Sequence, residues 1–312
     1  MYKAMIRLKQ LFSLMRRLNR VKMRDLYYAI IRITSRTPKI CVRITDHGVY
    51  SGFANDYLFT QAVARGSNEE HFDELVSALL HKDDVALDVG GNIGTHAINL
   101  SRLVPNGKVF VFEPQSLVFS ILQNNLLLNR CANVTAYKFA LTDVDHETIY
   151  MEPFNFDDDV INNGAISIDY STSVGDFCLT RTMDSFAFNK VDFIKLDVQG
   201  AESKVLSGAT KVIENFRPLV FIELEEQYLK KMGSSTKEVL EQLLRLDYGI
   251  YRIMTDYPCD HVAVPIEKMD EFEENIIPKL SLDYAVPLLG KSVDVRFETD
   301  ADQNYSVATS TV

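Results

Sequence analysis

The stretch LDVGGNIGTH, residues 87–96, decides the fold. It closes the apolar run DVALDV (84–89) and leads into HAINLSRLV (96–104), whose apolar positions have helical spacing. Gly90, Gly91 and Gly94 therefore occupy a sharp turn from strand to helix, where missing Cβ atoms let backbone approach a ligand closely. The spacing is D-x-G-x-x-x-G, not the G-x-G-x-x-G of dinucleotide binders, so the loop offers no pyrophosphate cradle. A ligand without phosphate and with a charged amino-acid end, such as S-adenosylmethionine, suits a loop framed by the carboxylate of Asp88.

Outward from this turn, GKVFVFEP (107–114), NVTAYKFAL (133–141), VDFIKLDV (191–198) and PLVFIELE (218–225) read as further strands, apolar along their length. Helical stretches separate them at 116–128, 200–216 and 235–246; the last has Ser235 with Glu238 three residues on, a capping-box pattern, and stops before Gly249. Before the turn, HFDELVSALL (71–80) puts Phe72, Leu75, Val76, Leu79 and Leu80 on one helical face. Apolar strands alternating with helices imply a parallel sheet covered on both faces, a Rossmann-like doubly wound α/β architecture. YRIM (251–254) and HVAVPI (261–266) add two strands and an antiparallel edge. The segment 151–180 lacks a period and reads as a long binding loop or lid.

Composition bounds the rest. The chain has 312 residues, 46% hydrophobic and 24% charged, enough for one large domain with added elements. No apolar run approaches the eighteen residues of a membrane span, and Cys41, Cys131, Cys178 and Cys259 form no CxxC pair. A cytoplasmic protein is expected, with neither a zinc site nor a disulfide framework. Residues 1–40 hold eleven Lys or Arg against the single acid Asp25; with a net charge of −10 overall, residues 41–312 carry −20. Such a body repels polyanions, so nucleic acid is an unfavourable substrate. The arm itself reads as a basic amphipathic helix suited to an anionic membrane surface, a targeting role or a cover for an apolar edge. The chain divides into this arm, a catalytic domain over 41–298 and a polar, mobile tail over 299–312.

Glu113 ends its strand 25 residues after Asp88, where an acid in Rossmann-like folds accepts hydrogen bonds from ribose hydroxyls. Ala140 and Asp143, in KFALTD, are candidates to face the adenine.

These motifs together resemble the FkbM-type methyltransferases. VALDVGGNIGTHAINL, VFVFEPQSLVFSILQNNLLLN, NGAISI, TRTMDSF, VDFIKLDVQGAESKVLSGATKVI and PLVFIELE occur in the order and approximate spacing of that family, over about residues 65–225. The resemblance implies a sheet with a reversed strand and S-adenosylmethionine-dependent methylation of hydroxyl oxygens on sugars or other scaffolds. It places Asp88, Gly90, Asn92 and Gly94 around the methionine portion of the donor, Glu113 on the ribose, and Glu69 of GSNEE before the first core strand. Gln199 stands where many members carry Glu, and reads as a positioning group.

Methyl transfer to an alcohol needs the oxygen held in line with the methyl group and its proton removed. Asp197 and Glu202, at the mouth of the fourth strand, are the candidate catalytic residues. His96 reads first as a packing or capping residue, and His261 stays open between packing and catalysis. Asp197 and Glu223 end neighbouring strands, where a magnesium ion could sit, but no third ligand is evident and no metal is assigned. The rival readings are a nucleic-acid methyltransferase using the basic arm, a donor-binding scaffold without turnover, and a dehydrogenase, which the loop spacing disfavours.

Overall fold

A computed structural model describes residues 40–45, 47–56, 59–60, 69–152, 168, 175–254 and 259–281, with the backbone of 296–299 and 305–308. The basic arm lies outside the described residues except for Ile40.

The central sheet has seven strands. In chain order these are β3 (Val85–Val89), β4 (Lys108–Phe112), β5 (Val134–Tyr137), β9 (Phe193–Leu196), β10 (Leu219–Glu223), β11 (Tyr248–Arg252) and β12 (Asp260–Pro265). Their spatial order is β11-β12-β10-β9-β3-β4-β5. Strands β10, β9, β3, β4 and β5 are mutually parallel, and β12 runs antiparallel to both β10 and β11. The antiparallel pairing expected at this edge is therefore present, with the reversed strand one place in from it. Chain order jumps at β3, which lies between β9 and β4; such a switch point is where open α/β sheets bind ligands.

Side chains along β3 alternate between two cores, as the pleat requires. Leu87 and Val89 join Leu196 and Ile222 against α4 (Glu202–Ser207), α5 (Thr210–Phe216) and α7 (Thr236–Arg245). Ala86 joins Phe193 and Phe221 against α1 (Glu70–Leu79), α2 (Thr95–Leu103) and α8 (Met269–Asn275). A third cluster packs the hairpin of β1 (Ile40–Thr45) and β2 (Gly48–Phe53) on α2 and α3 (Ser116–Leu128). Half of the capping box is formed: Ser235 Oγ accepts from the Glu238 amide at 3.2 Å, while the Glu238 carboxylate accepts from Ser234 Oγ at 3.0 Å.

Three local expectations change. The run NVTAYKFAL is two strands, since the chain leaves the central sheet at Lys138 and β6 (Phe139–Leu141) pairs with β8 (Phe177–Arg181), which also pairs with β7 (Thr148–Tyr150). The end of the presumed loop 151–180 is thus strand; Phe177 and Leu179 are exposed while Cys178 and Thr180 are buried, an inverted alternation that hides the period. Residues 153–167 and 169–174 lie outside the described residues. The helix expected over 200–216 breaks at Gly208, where a Cβ would stand 2.0 Å from the Thr142 carbonyl oxygen. Of the tail, Tyr305–Ala308 (β14) pairs with Arg296–Thr299 (β13) as an antiparallel hairpin.

Candidate active site

Two strand-to-helix turns meet at the switch point. The β3–α2 turn requires left-handed backbone at Gly90 (φ 84°), Asn92 (φ 48°) and Gly94 (φ 91°), and the β9–α4 turn at Gln199 (φ 53°) and Gly200 (φ 102°). At Gly90 a Cβ would lie 1.7 Å from the carbonyl oxygen of Asp197, so only glycine lets the two turns touch. A cleft of about 610 Å³, counting its open mouth, lies beside them.

Gly90, Asn92, Glu113, Ala140, Asp197 and Gln199 all line this cleft. Glu113 is buried, with Oε2 accepting from the Asn92 amide at 3.0 Å and Oε1 from the Gln115 amide at 2.9 Å. Burial pushes its pKa up to about 7, against the pull of those two amides. Phe139, Ala140, Leu141 and Met151 form an apolar wall near it. At the other end Asp197 accepts from Gln199 Nε2 at 2.9 Å and from Lys195 Nζ at 3.2 Å.

Lys195 is the residue that sequence reading missed. It is fully buried in the otherwise apolar β9, donating also to the Gly90 carbonyl at 3.2 Å, with Asp88 Oδ1 at 3.6 Å. A lysine inside an apolar strand is out of pattern, and that was the available signal. Burial works against its charge, but Asp197, Asp88, Glu69 and Glu223 outweigh it and raise its pKa. Asp197 shows the converse: burial opposes ionisation, yet Lys195, Glu223 and Gln199 hold its pKa below the usual carboxylate range. Glu223 takes the opposite direction, its pKa raised by burial and by Asp197.

The other expected site residues are placed differently. Asp88 is wholly buried beneath the turn, its pKa raised by burial to about 6 despite Lys195. Gly94 caps α2 and packs on Leu122. Glu69 precedes α1, with its carboxylate 3.7 Å from His96 Nε2. Asp143 is exposed, against the Gly208 turn and away from the cleft lining, because the chain departs from the sheet after Tyr137. Glu202 is also away from the lining: it is buried under its own turn, accepting from the amides of Val198 at 3.1 Å and Gly200 at 3.2 Å. This geometry makes it a turn clamp. His96 packs against Phe72 with ring centroids 4.4 Å apart and the planes tilted by 52°, and His261 is buried against the Cys259 carbonyl, its pKa lowered by burial to about 4. Among the described residues, no group of three His, Cys, Asp or Glu side chains is arranged to hold a metal ion.

A model of the methyltransferase FkbM domain matches residues 88–250. The chain belongs to the FkbM methyltransferase family. It is therefore a methyltransferase of the kind that draws on S-adenosylmethionine. It is 26% identical over 192 residues to the 2-O-methyltransferase NoeI of Sinorhizobium fredii, covering 54% of this chain and 75% of that one. It is 30% identical over 146 residues to the hexuronic acid methyltransferase AglP of Haloferax volcanii, covering 46% and 56% respectively. A solved methyltransferase FkbM from Methylobacillus flagellatus is similar at 16% identity and a TM-score of 0.44, over 77% of this chain and 58% of that one. The chain thus spans little more than half the length of the last two.

The family's donor fits the residues present. A carboxylate with both oxygens anchored by backbone amides suits a ribose diol, an apolar wall suits a flat base, and an ionised Asp197 suits a cationic end.

Proposed function

We propose that the protein transfers the methyl group of S-adenosylmethionine to a hydroxyl oxygen of a sugar-type acceptor. The observation that carries this reading is the single cleft with amide-anchored Glu113 at one end and ionised Asp197 at the other, bridged by the Gly90–Asn92 turn. The names of NoeI and AglP support the acceptor class.

In this reading Glu113 receives the ribose hydroxyls, Ala140 borders the adenine, and Gly90, Asn92 and Gly94 shape the turn around the methionine portion, with Asp88 and Glu69 behind it. When bound, the donor supplies a methyl group already activated on a sulfonium. The chain's task is then to hold an oxygen in line with it and to take a proton. Asp197, accepting from Lys195 and Gln199 and with its pKa held low, is a fixed anion and a weak base. Its charge steadies the cationic end and the acceptor's orientation. The basic segment 1–40 is assigned to an anionic membrane surface, which would place a cytoplasmic enzyme peripherally at a bilayer; no helix among the described residues is long and apolar enough to cross one.

Calorimetry with adenosylhomocysteine and with NAD tests the donor, and mass analysis of methyl glycosides incubated with methyl-labelled donor tests the acceptor. Binding of NAD but not adenosylhomocysteine would overturn the reading. Deleting residues 1–36 should abolish partitioning onto phosphatidylserine vesicles and leave adenosylhomocysteine affinity intact; equal partitioning would remove the membrane assignment.

A further inference from the structure

The C-terminal rim of the parallel strands carries one chemical group per strand, in spatial order: Glu113 after β4, Asp88 on β3, Asp197 after β9, Glu223 on β10 and Asp260 at the start of the reversed β12. Four strand spacings separate β4 from β12, about 19 Å. A donor with its ribose at β4 and its methionine portion over β3 leaves the rim of β10 and β12 beside it for the acceptor, and Glu223, Asp260 and His71 stand there, outside the residues that line the cleft. Glu223 and Asp260 are direct partners across the β10–β12 ladder, so their side chains share one face of the sheet. Over them stands His71, in the first turn of α1. Its Nε2 lies 2.8 Å from Asp260 Oδ2, and its ring centroid 6.1 Å from that of Phe221 on β10.

The two partners differ in exposure. Asp260 is buried, whereas the His71 side chain keeps 16% of its surface. A buried carboxylate on one ring nitrogen fixes the tautomer: Nε2 carries the proton toward Asp260, and Nδ1 keeps its lone pair. A carboxylate that orients an imidazole and then stabilises its protonated form is the arrangement of a general base.

From this geometry we infer that His71, oriented by Asp260, is the general base that receives the proton of the acceptor hydroxyl. The inference rests on the O-methyl transfer reading above. As the oxygen bonds to the methyl carbon, the carbon–sulfur bond breaks and its electron pair stays on sulfur. The O–H proton moves to Nδ1 of His71, leaving an imidazolium paired with Asp260, and then passes to water. Atoms and charge balance with no further reactant.

The groups facing His71 are Asp73 and Glu74 on its own helix, Glu69 just before it, His96 from α2 and Asp260 from β12, with Glu223 beside Asp260. Burial lowers the pKa of His71, and the hydrogen bond and charge of Asp260, with Glu69 and Asp73, more than restore it, leaving it above the ordinary histidine value. Asp197, by contrast, is held below the usual carboxylate range and is a weak base.

The test uses the full chain, methyl-labelled donor and a set of methyl glycosides of neutral hexoses and of a hexuronic acid. His71→Asn should bind adenosylhomocysteine within about twofold of wild type, which also reports an intact fold, and lose about 10²–10⁴-fold in turnover together with the acidic limb of its pH profile. Asp260→Asn removes the charge that raises the His71 pKa, so that limb should move to lower pH. NMR titration of the imidazole in donor-free protein should show the same downward shift. Hydroxyl methylation with an unchanged acidic limb in His71→Asn, or an imidazole titration indifferent to Asp260→Asn, would overturn the base assignment alone. Failure of the wild type to methylate any hydroxyl would overturn the O-methyl reading and the base with it.

Discussion

Lys195 Nζ donates to the carbonyl oxygen of Gly90 at 3.2 Å, so a side chain from β9 fastens the first glycine of the loop that follows β3. The same ammonium reaches Asp197 at 3.2 Å and Asp88 at 3.6 Å. Lys195→Met should therefore leave the buried Asp88 and the part-exposed Asp197 without their counter-charge and destabilise the fold by about 3 kcal/mol, the low end of the usual loss on breaking a buried pair from one side. Lys195→Arg keeps the charge and should recover part of this. Urea denaturation of both variants measures it, and a methionine variant as stable as wild type would show that the charges relax into solvent.

Glu113 offers a second measurement. Glu113→Ala should weaken adenosylhomocysteine binding by about 1–3 kcal/mol, the penalty for leaving ribose hydroxyls unpaired in a buried site. Because burial raises the Glu113 pKa to about 7 in the free protein, the carboxylate must lose a proton to accept both hydroxyls. Wild-type affinity should thus fall as pH drops from 8 to 6, and the alanine variant should lose most of this slope. Calorimetry across that window decides it.

Glu202 separates a clamp from a base. Its Oε1 receives two backbone amides, and glutamine keeps an acceptor oxygen in that place. Glu202→Gln should retain turnover within about threefold, whereas Glu202→Ala should lower stability by about 1–3 kcal/mol through two unpaired amides. A glutamine variant without turnover would return Glu202 to the chemistry.

The buried acids also set the pH dependence of stability. Burial raises Glu113 and Glu202 to about 7 and Asp88 to about 6, and the part-exposed Glu69 is raised to about 8. The folded state then holds protons that the unfolded chain has released, so this contribution is full below the ordinary carboxylate values and is lost as pH rises through about 6–8. His96 and His261, both lowered by burial, oppose it only below about 6.5. Between pH 8.5 and 6.5 these carboxylates and His71, whose pKa is raised, act in the same direction, and the urea midpoint should increase as pH falls. A midpoint that decreases over that window would refute this.

The sequence alone determined the parallel α/β sheet, the strand–turn–helix at Gly90–Gly94 and the acid at Glu113, because each is written in local pattern: apolar runs, glycines and a fixed spacing along the chain. The family resemblance was legible for the same reason. Tertiary structure decided what depends on distance between separate segments. Asp143 moved out of the candidate site because the chain leaves the sheet at Lys138, and Glu202 turned inward because the amides of its own turn need an acceptor. Lys195 entered because three carboxyl or carbonyl partners, at positions 88, 90 and 197, converge on one buried ammonium. The pairing of His71 with Asp260 joins positions 189 residues apart, through a helix laid across the end of a reversed strand. No local period records such a contact, since it arises only when the sheet order brings β12 beside β10.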